Sequence, residues 1–401
     1  MKRNMCPIRS TMAPPRAVYV HIPFCASKCP YCDFNTYVVS GQPVDAYLDA
    51  LEREMEQAVD RMPPGRIATI FIGGGGPPTI LSPAQLAKLL SALQRSFADR
   101  EPDFEFTVEA NPGTVDAEKL CVLREGGVNR ISFGAQSFDD RLLVAIGRDH
   151  QADDVFRAVE TAKQAGFVNI SIDLMFGLPR QTVADLNRTL DAALSLGLPH
   201  VSAYSLKIEE NTPFSALRAQ NRLPLPDEDE EADMYALVID RMRAAGYVHY
   251  EVSNFAKPGF ECRHNLTYWR NLPYYGLGAG AHGYVGGRRY ANVRGVRAYI
   301  EAVSQGLPEA EASEVTETEE MENFMILGLR LLEEGVSSDV FRTEYGCSPE
   351  SVFGGPIRRL LAKGWLERTE KGYRLTRDGL MFGNEVFAAF VGEAVAKEAR
   401  P

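Results

Sequence analysis

The sequence predicts an α/β protein: a partial barrel of the (β/α)6 type, followed by a smaller C-terminal α+β unit with a winged-helix-like order of elements. Three observations carry that reading. Short β-branched runs alternate with longer amphipathic stretches about six times between Ala17 and Lys207. The alternation then gives way to a Gly- and Tyr-rich region, and a group of helices followed by a hairpin closes the chain. Strand-then-helix repetition implies parallel strands joined by right-handed crossovers. About six units fall short of the eight that close a full barrel, so the barrel is expected to be partial.

Taken in order, the strands are expected at Ala17–Ile22, Ile67–Ile72, Asp103–Glu109, Asn129–Gly134, Val168–Met175 and His200–Leu206. Helical spacing of apolar residues falls between them, at Asp45–Val59, Pro83–Phe97, Asp116–Arg124, Gln151–Ala165 and Val183–Leu194. A helix at Asp227–Ala244 and a strand at Tyr247–Val252 lead into the Gly- and Tyr-rich region Asn254–Tyr290. Past the acidic stretch Glu309–Glu322, helices are expected near Glu319–Leu332, Ser338–Tyr345 and Pro356–Lys363. A hairpin follows at Trp365–Leu375, turning at Lys371-Gly372, and then a closing helix Arg377–Val391. The chain thus divides into a disordered extension (1–15), a barrel core (16–246), a connecting region (247–312) and the C-terminal unit (313–401). Acidic surroundings favour a packing or lid role for that last unit over DNA binding.

Composition narrows the class. The 401 residues hold 43 Lys and Arg against 54 Asp and Glu, a net charge of −11, with a pI near 5.2. Such a chain has no overall electrostatic basis for binding nucleic acid. No uninterrupted apolar run is long enough to span a membrane. The seven cysteines are odd in number and three crowd into one segment, unlike a secreted disulfide framework. Lys2, Arg3 and Arg9 precede no apolar stretch, so the N-terminus does not read as a signal peptide, and Met12 is an alternative start. A reducing, cytoplasmic setting is expected.

Ligands of parallel α/β folds sit at the C-terminal ends of the strands. The residues expected there are His21 to Cys25, Gly73 to Gly76, Glu109 to Pro112, Ala135-Gln136, and Asp173 with Phe176 to Pro179. Thiol, glycine, carboxylate and amide groups therefore gather at one end. The first of these segments holds Cys25-x-x-x-Cys29-x-x-Cys32. Three thiolates in eight residues suit a polynuclear iron–sulfur centre, whereas a structural zinc wants a fourth ligand at finger spacing. Three ligands on a four-iron cube leave one iron open.

This triad resembles the radical S-adenosylmethionine signature, and Tyr19-Val-His-Ile-Pro-Phe-Cys25 is similar to the oxygen-independent coproporphyrinogen III oxidase-like branch of that superfamily. The resemblance runs from Tyr19 into the C-terminal unit and implies a radical SAM barrel. It also implies a 4Fe–4S cluster on Cys25, Cys29 and Cys32, whose free iron is chelated by S-adenosylmethionine. Matched motif by motif, it assigns Tyr19, Gly74, Gly75, Gly76, Pro77, Glu109, Gln136, Arg148 and Asp173 to S-adenosylmethionine, with His282 toward its nucleotide side. Gly76 stands where the family carries threonine, so only a backbone role is expected there. A strand-end structural role is expected for His21. Cys6, Cys121 and Cys347 receive no role, and no residue is assigned to catalysis.

Two departures separate this chain from the oxidases. Their fourth cysteine, in Cys-x-x-x-Cys-x-x-Cys-x-Cys, is replaced by Phe34, and His264-Asn-Leu-Thr-Tyr268-Trp269 follows Cys262-Arg263. Both features are similar to the HemW-type heme chaperones. That resemblance implies heme b as cargo, with His264 as an axial ligand among Phe260, Tyr268, Trp269, Tyr274 and Tyr275. It further implies delivery to a membrane-bound respiratory acceptor, transient membrane contact and a homodimer, with cluster and S-adenosylmethionine serving dimerisation or transfer. The alternative is the oxidase reaction, radical decarboxylation of two propionates of coproporphyrinogen III to vinyl groups.

Overall fold

The computed structural model describes residues 12–394. Most of the expected N-terminal extension, Cys6 included, lies outside the described residues. Six strands repeat the expected order: β1 (Ala17–His21), β2 (Ile67–Gly73), β3 (Arg100–Ala110), β4 (Arg130–Gln136), β5 (Asn169–Phe176) and β6 (His200–Ser205). Each pairs in parallel with the next. The crossovers carry α1 (Val44–Arg61), α2 (Pro83–Ser96), α3 (Ala117–Glu125), α4 (Ala152–Gln164) and α5 (Val183–Ser195), and α6 (Glu228–Ala244) follows β6.

Local chemistry explains the helix boundaries. Ser82 and Gln85 form a reciprocal capping box before α2, with Pro83 at the first helical position, where its missing N–H costs nothing. Thr182 and Asp185 repeat the device at α5, and Asp116 caps α3. Alternation along the strands then sorts the side chains. Val18, Val20, Ile70, Ile72, Phe106, Val108, Ile131, Phe133, Ile170, Ile172 and Val201 are buried in the apolar core. The intervening positions, among them Tyr19, Thr69, Glu105, Glu109, Arg130, Ser132, Asp173, His200 and Ser202, line a polar interior.

The sheet is larger than the sequence suggests. Residues 248–314, all but the last two expected as a connecting region, extend it at both ends. The added strands are β7 (Val248–Glu251), β8 (Asn254–Ala256), β9 (Tyr274–Leu277), β10 (His282–Val285), β11 (Arg288–Asn292) and β12 (Glu309–Glu314). The resulting 12-stranded order is β12-β11-β10-β9-β1-β2-β3-β4-β5-β6-β8-β7. β9 lies parallel to β1 on its free side, and β10 to β12 continue antiparallel. The tight β10–β11 hairpin turns on Gly286 and Gly287, both with positive φ, the geometry that matches strand twist.

The C-terminal part packs helices Glu317–Gly328, Ser338–Tyr345 and Pro349–Ala362 with a small sheet of Val336–Ser337, Gly372–Leu375 and Leu366–Arg368. The helix expected from Pro356 begins at Pro349 instead and passes a non-helical residue, Phe353, ahead of the proline. The closing helix expected over Arg377–Val391 breaks at Phe382, giving Arg377–Met381 and Gly383–Ala388. Phe382 leaves helical geometry and its ring stacks on Trp365, with centroids 4.6 Å apart. Among the described residues no helix is long and apolar enough to cross a membrane.

Candidate functional site

At the C-terminal ends of β1 to β6 the chain encloses a cavity of about 490 Å³. Its walls bring together Cys25, Cys29 and Cys32 from the loop after β1, Gly74, Gly76 and Pro77 after β2, Glu109 on β3, Gln136 on β4, Arg148, and Asp173 on β5. Most of the expected residues therefore meet in one place, which the parallel topology demands: every strand delivers its last residues to the same end. Tyr19, Gly75, His264 and His282 stand outside this lining.

The cysteine loop is stapled at its base. Phe24–Cys25 pairs in parallel with Tyr37–Val38, Tyr37 N donates to Pro23 O at 2.8 Å, and Val39 N donates to Cys25 O at 2.9 Å. A turn closed by Cys32 N on Cys29 O, at 3.1 Å, presents the other two thiols. All three are half-buried and free of disulfides. Burial pushes the Cys25 and Cys32 thiols up, so metal must displace a proton to bind there. Arg148 Nη1 lies 3.9 Å from Cys29 Sγ, while its Nη2 donates to Gly134 O at 2.8 Å. Among the described residues, no three such donors converge on a single ion. A polynuclear centre does not require that convergence, since its irons occupy separate corners.

Backbone dominates the opposite wall. Gly74 adopts φ +95° and donates its N–H to Glu109 Oε2 at 2.8 Å. A Cβ here would strike the Tyr19 hydroxyl and the His21 ring. At Gly76 a Cβ would collide with the Phe24 carbonyl, so the glycine in place of threonine follows from close backbone packing. Tyr19 Oη and His21 Nδ1 are 2.8 Å apart, and His21 Nε2 is 2.9 Å from Asn35 O. Tyr19 thus works beneath the glycine loop, and His21 has the structural place expected for it.

Two carboxylates face the cavity with raised pKa. Burial pushes Glu109 up to about 7, with Asp173 adding to the effect, and burial likewise raises Asp173. Ser132 donates to Asp173 at 3.1 Å. Gln136 carries φ +63° at a register shift that ends β4, a strained conformation that turns its side chain toward the cavity.

His264, expected as an axial heme ligand, lies outside this cavity. It belongs to α7 (Arg263–Trp269), a short helix packed against the start of the barrel strands. Glu105 on β3 accepts from Arg263 N at 3.0 Å and His264 N at 3.1 Å. The imidazole is 0% exposed, with Nδ1 2.8 Å from Thr69 Oγ1 and Nε2 2.7 Å from Tyr268 Oη. Phe71 stacks on it with centroids 5.2 Å apart, and burial lowers its pKa to about 3. Both ring nitrogens thus face hydroxyl groups of the fold. The motif plugs the N-terminal mouth of the barrel, opposite the cysteines.

Sequence reasoning missed several lining residues: Tyr31 inside the triad, Ser132, Met175 and Tyr204 within strands, and Lys207 and Glu209 just past β6. The last two were open to the strand-end rule. The strand residues needed the direction of the pleat.

Comparison with known proteins agrees with this architecture. Residues 19–193 match the Radical SAM superfamily, and residues 315–382 match the HemN C-terminal domain. The chain is 48% identical to the heme chaperone HemW of Bacillus subtilis, over 94% of this chain and 100% of that protein. It is 37% identical to HemW of Escherichia coli, over 95% and 99%. The structure of the coproporphyrinogen III oxidase HemN from Escherichia coli superposes with a TM-score of 0.82 at 24% identity, covering 96% of this chain and 92% of that one, which establishes a shared fold. With near-complete coverage at this identity, the chain belongs to the HemW family of radical SAM proteins.

Proposed function

We propose that the protein binds heme b as cargo and hands it to a membrane-bound respiratory acceptor, without obligatory chemical turnover. The observation that carries this reading is the 48% identity, over the whole length of the relative, with a protein named a heme chaperone. Phe34 supports it, since an apolar ring, 60% exposed, stands where the oxidases carry a fourth cysteine. The fold shared with an oxidase at 24% identity does not argue for the oxidase reaction.

In this reading Cys25, Cys29 and Cys32 hold a 4Fe–4S cluster, with the Arg148 guanidinium beside Cys29. Gly74, Gly75, Gly76 and Pro77 accept S-adenosylmethionine along the backbone. Glu109 and Asp173 take hydroxyl or ammonium donors, Gln136 contributes an amide, and Tyr19 and His282 support the rim. When bound, the pair would supply an electron carrier and a sulfonium able to accept an electron. The two serve dimerisation and transfer, and membrane contact is transient. The winged-helix-like C-terminal unit (313–401) acts as a lid beside the core and connecting regions.

The test is heme titration of purified protein followed by transfer to a heme-depleted acceptor. One heme per chain and restored acceptor activity are expected. Anaerobic incubation with coproporphyrinogen III and a reductant should yield no protoporphyrinogen; substantial product would overturn the chaperone reading.

A further inference from the structure

We propose that Arg130, the first residue of β4, is a positioning residue for the strand-end site. Its guanidinium, unpaired in the barrel lumen, is the internal counter-charge that lets Glu109 and Asp173 face S-adenosylmethionine together as carboxylates. The proposal rests on the S-adenosylmethionine reading of that cavity and is independent of the cargo. Arg130 is 2% exposed. It lies opposite Thr107 of β3 and Asn169 of β5, and Ser132, two positions on, lies opposite Glu109 and Ser171. Residues two apart on a strand share a face, so Arg130 enters the same lumen in which Ser132 donates to Asp173. A buried charge is ordinarily paired and hydrogen-bonded. Here Nε has no partner, nor have Thr107 Oγ1 and Asn169 Oδ1 on either side, and no ion pair reaches Arg130 among the described residues.

The other groups of the lumen leave this task to Arg130. Glu105 on β3, which also faces it, is occupied by the N–H groups of Arg263 and His264. Tyr250 Oη lies 2.9 Å from His200 Nε2 and accepts from Cys262 N at 3.1 Å, and burial keeps this phenol and the Cys262 thiol neutral. Burial likewise keeps His200 and His264 uncharged at neutral pH, and the phenols of Tyr19, Tyr204 and Tyr268 near the two carboxylates protonated. Arg148, the other cation acting on Asp173, donates to Gly134 O and lies beside Cys29. Two buried carboxylates resist ionising together unless a cation compensates them. Asp173 disfavours the charge of Glu109, and Arg130 favours the charge of both. The cavity wall includes Glu109, Ser132 and Asp173 but not Arg130, so the guanidinium acts through the carboxylates and not by touching ligand.

The test measures S-adenosylmethionine binding by equilibrium dialysis to anaerobically reconstituted full-length protein and to its Arg130→Gln and Arg130→Lys variants. Each variant is compared with the parent at the same pH, so that the ligand's own titration cancels. Arg130→Gln should bind about tenfold more weakly at neutral pH, and the deficit should shrink as alkaline pH ionises the carboxylates without the guanidinium. Arg130→Lys keeps the charge and loses no bidentate pairing, so it should stay within about threefold of the parent. An equal deficit at neutral and alkaline pH shows a purely structural role and overturns the proposal. Tighter binding by Arg130→Gln, the result if the guanidinium only repelled the ligand, overturns it too. If Arg130→Gln does not fold, the lysine variant decides alone: parent-like affinity upholds the need for a charge, and a loss of about tenfold overturns it. A parent that binds no S-adenosylmethionine removes the reading of the site, and infrared spectroscopy without ligand then decides the role of Arg130. Arg130→Gln should gain a protonated-carboxyl band at neutral pH, and an unchanged spectrum overturns the proposal.

Discussion

A histidine means different chemistry according to what closes around it. His264 titrates near 6.5 in the unfolded chain, but burial lowers it to about 3 in the fold. Between these values the unfolded chain binds the extra proton, so its stabilising effect is complete above pH 6.5 and is lost as pH falls toward 3. From pH 6.5 to 5 this group alone should remove about 2 kcal/mol. His264→Gln should lower stability at pH 7 yet lose less on acidification than the parent, as urea unfolding at pH 7 and pH 5 would reveal; equal slopes would contradict the assignment. Arg148 makes the complementary case, a cation kept beside a thiol. Arg148→Met should leave the fold intact but reduce iron retained after anaerobic reconstitution several-fold, measured as iron per chain.

At the scale of elements, the strand-end loops are rigid because backbone packs on backbone. Gly76→Ala places a methyl against the Phe24 carbonyl, which has no flexible side chain to yield. A loss of about 1–3 kcal/mol is expected, with displacement of the cysteine loop. Thermal unfolding and iron content should fall together; a variant with the parent's melting temperature would show that the loop gives way easily. Helix α7 behaves in the same manner, since its first N–H groups end on Glu105 and its aromatic residues pack into the barrel mouth.

Across the whole molecule, the C-terminal part is pinned to the core by a few aromatic and charged groups. The Arg330 guanidinium lies 4.2 Å from the centre of the Trp269 ring and 5.5 Å from that of Phe387. A desolvated pair of this kind contributes about 1–2 kcal/mol. Arg330→Ala should therefore raise hydrogen exchange in the helices of residues 317–388 before it affects the barrel strands; uniform loss of protection would point to global destabilisation instead.

The six parallel strands and the cysteine, glycine and carboxylate residues at their ends were legible in the chain alone. Parallel alternation forces successive strands to present the same end, so Cys25, Gly74, Glu109, Gln136 and Asp173 had to converge wherever the repetition was recognised. Short strands without clean alternation, such as Tyr274–Leu277, were not legible, because their partner β1 lies more than 250 residues earlier. The fate of His264 was equally hidden. Its motif marks kinship, but which way the ring points depends on Glu105 and Thr69, brought from distant strands. Local periodicity determines which residues share an end or a face. Only packing between remote segments decides which imidazole is sealed in the barrel mouth and which is left open to solvent.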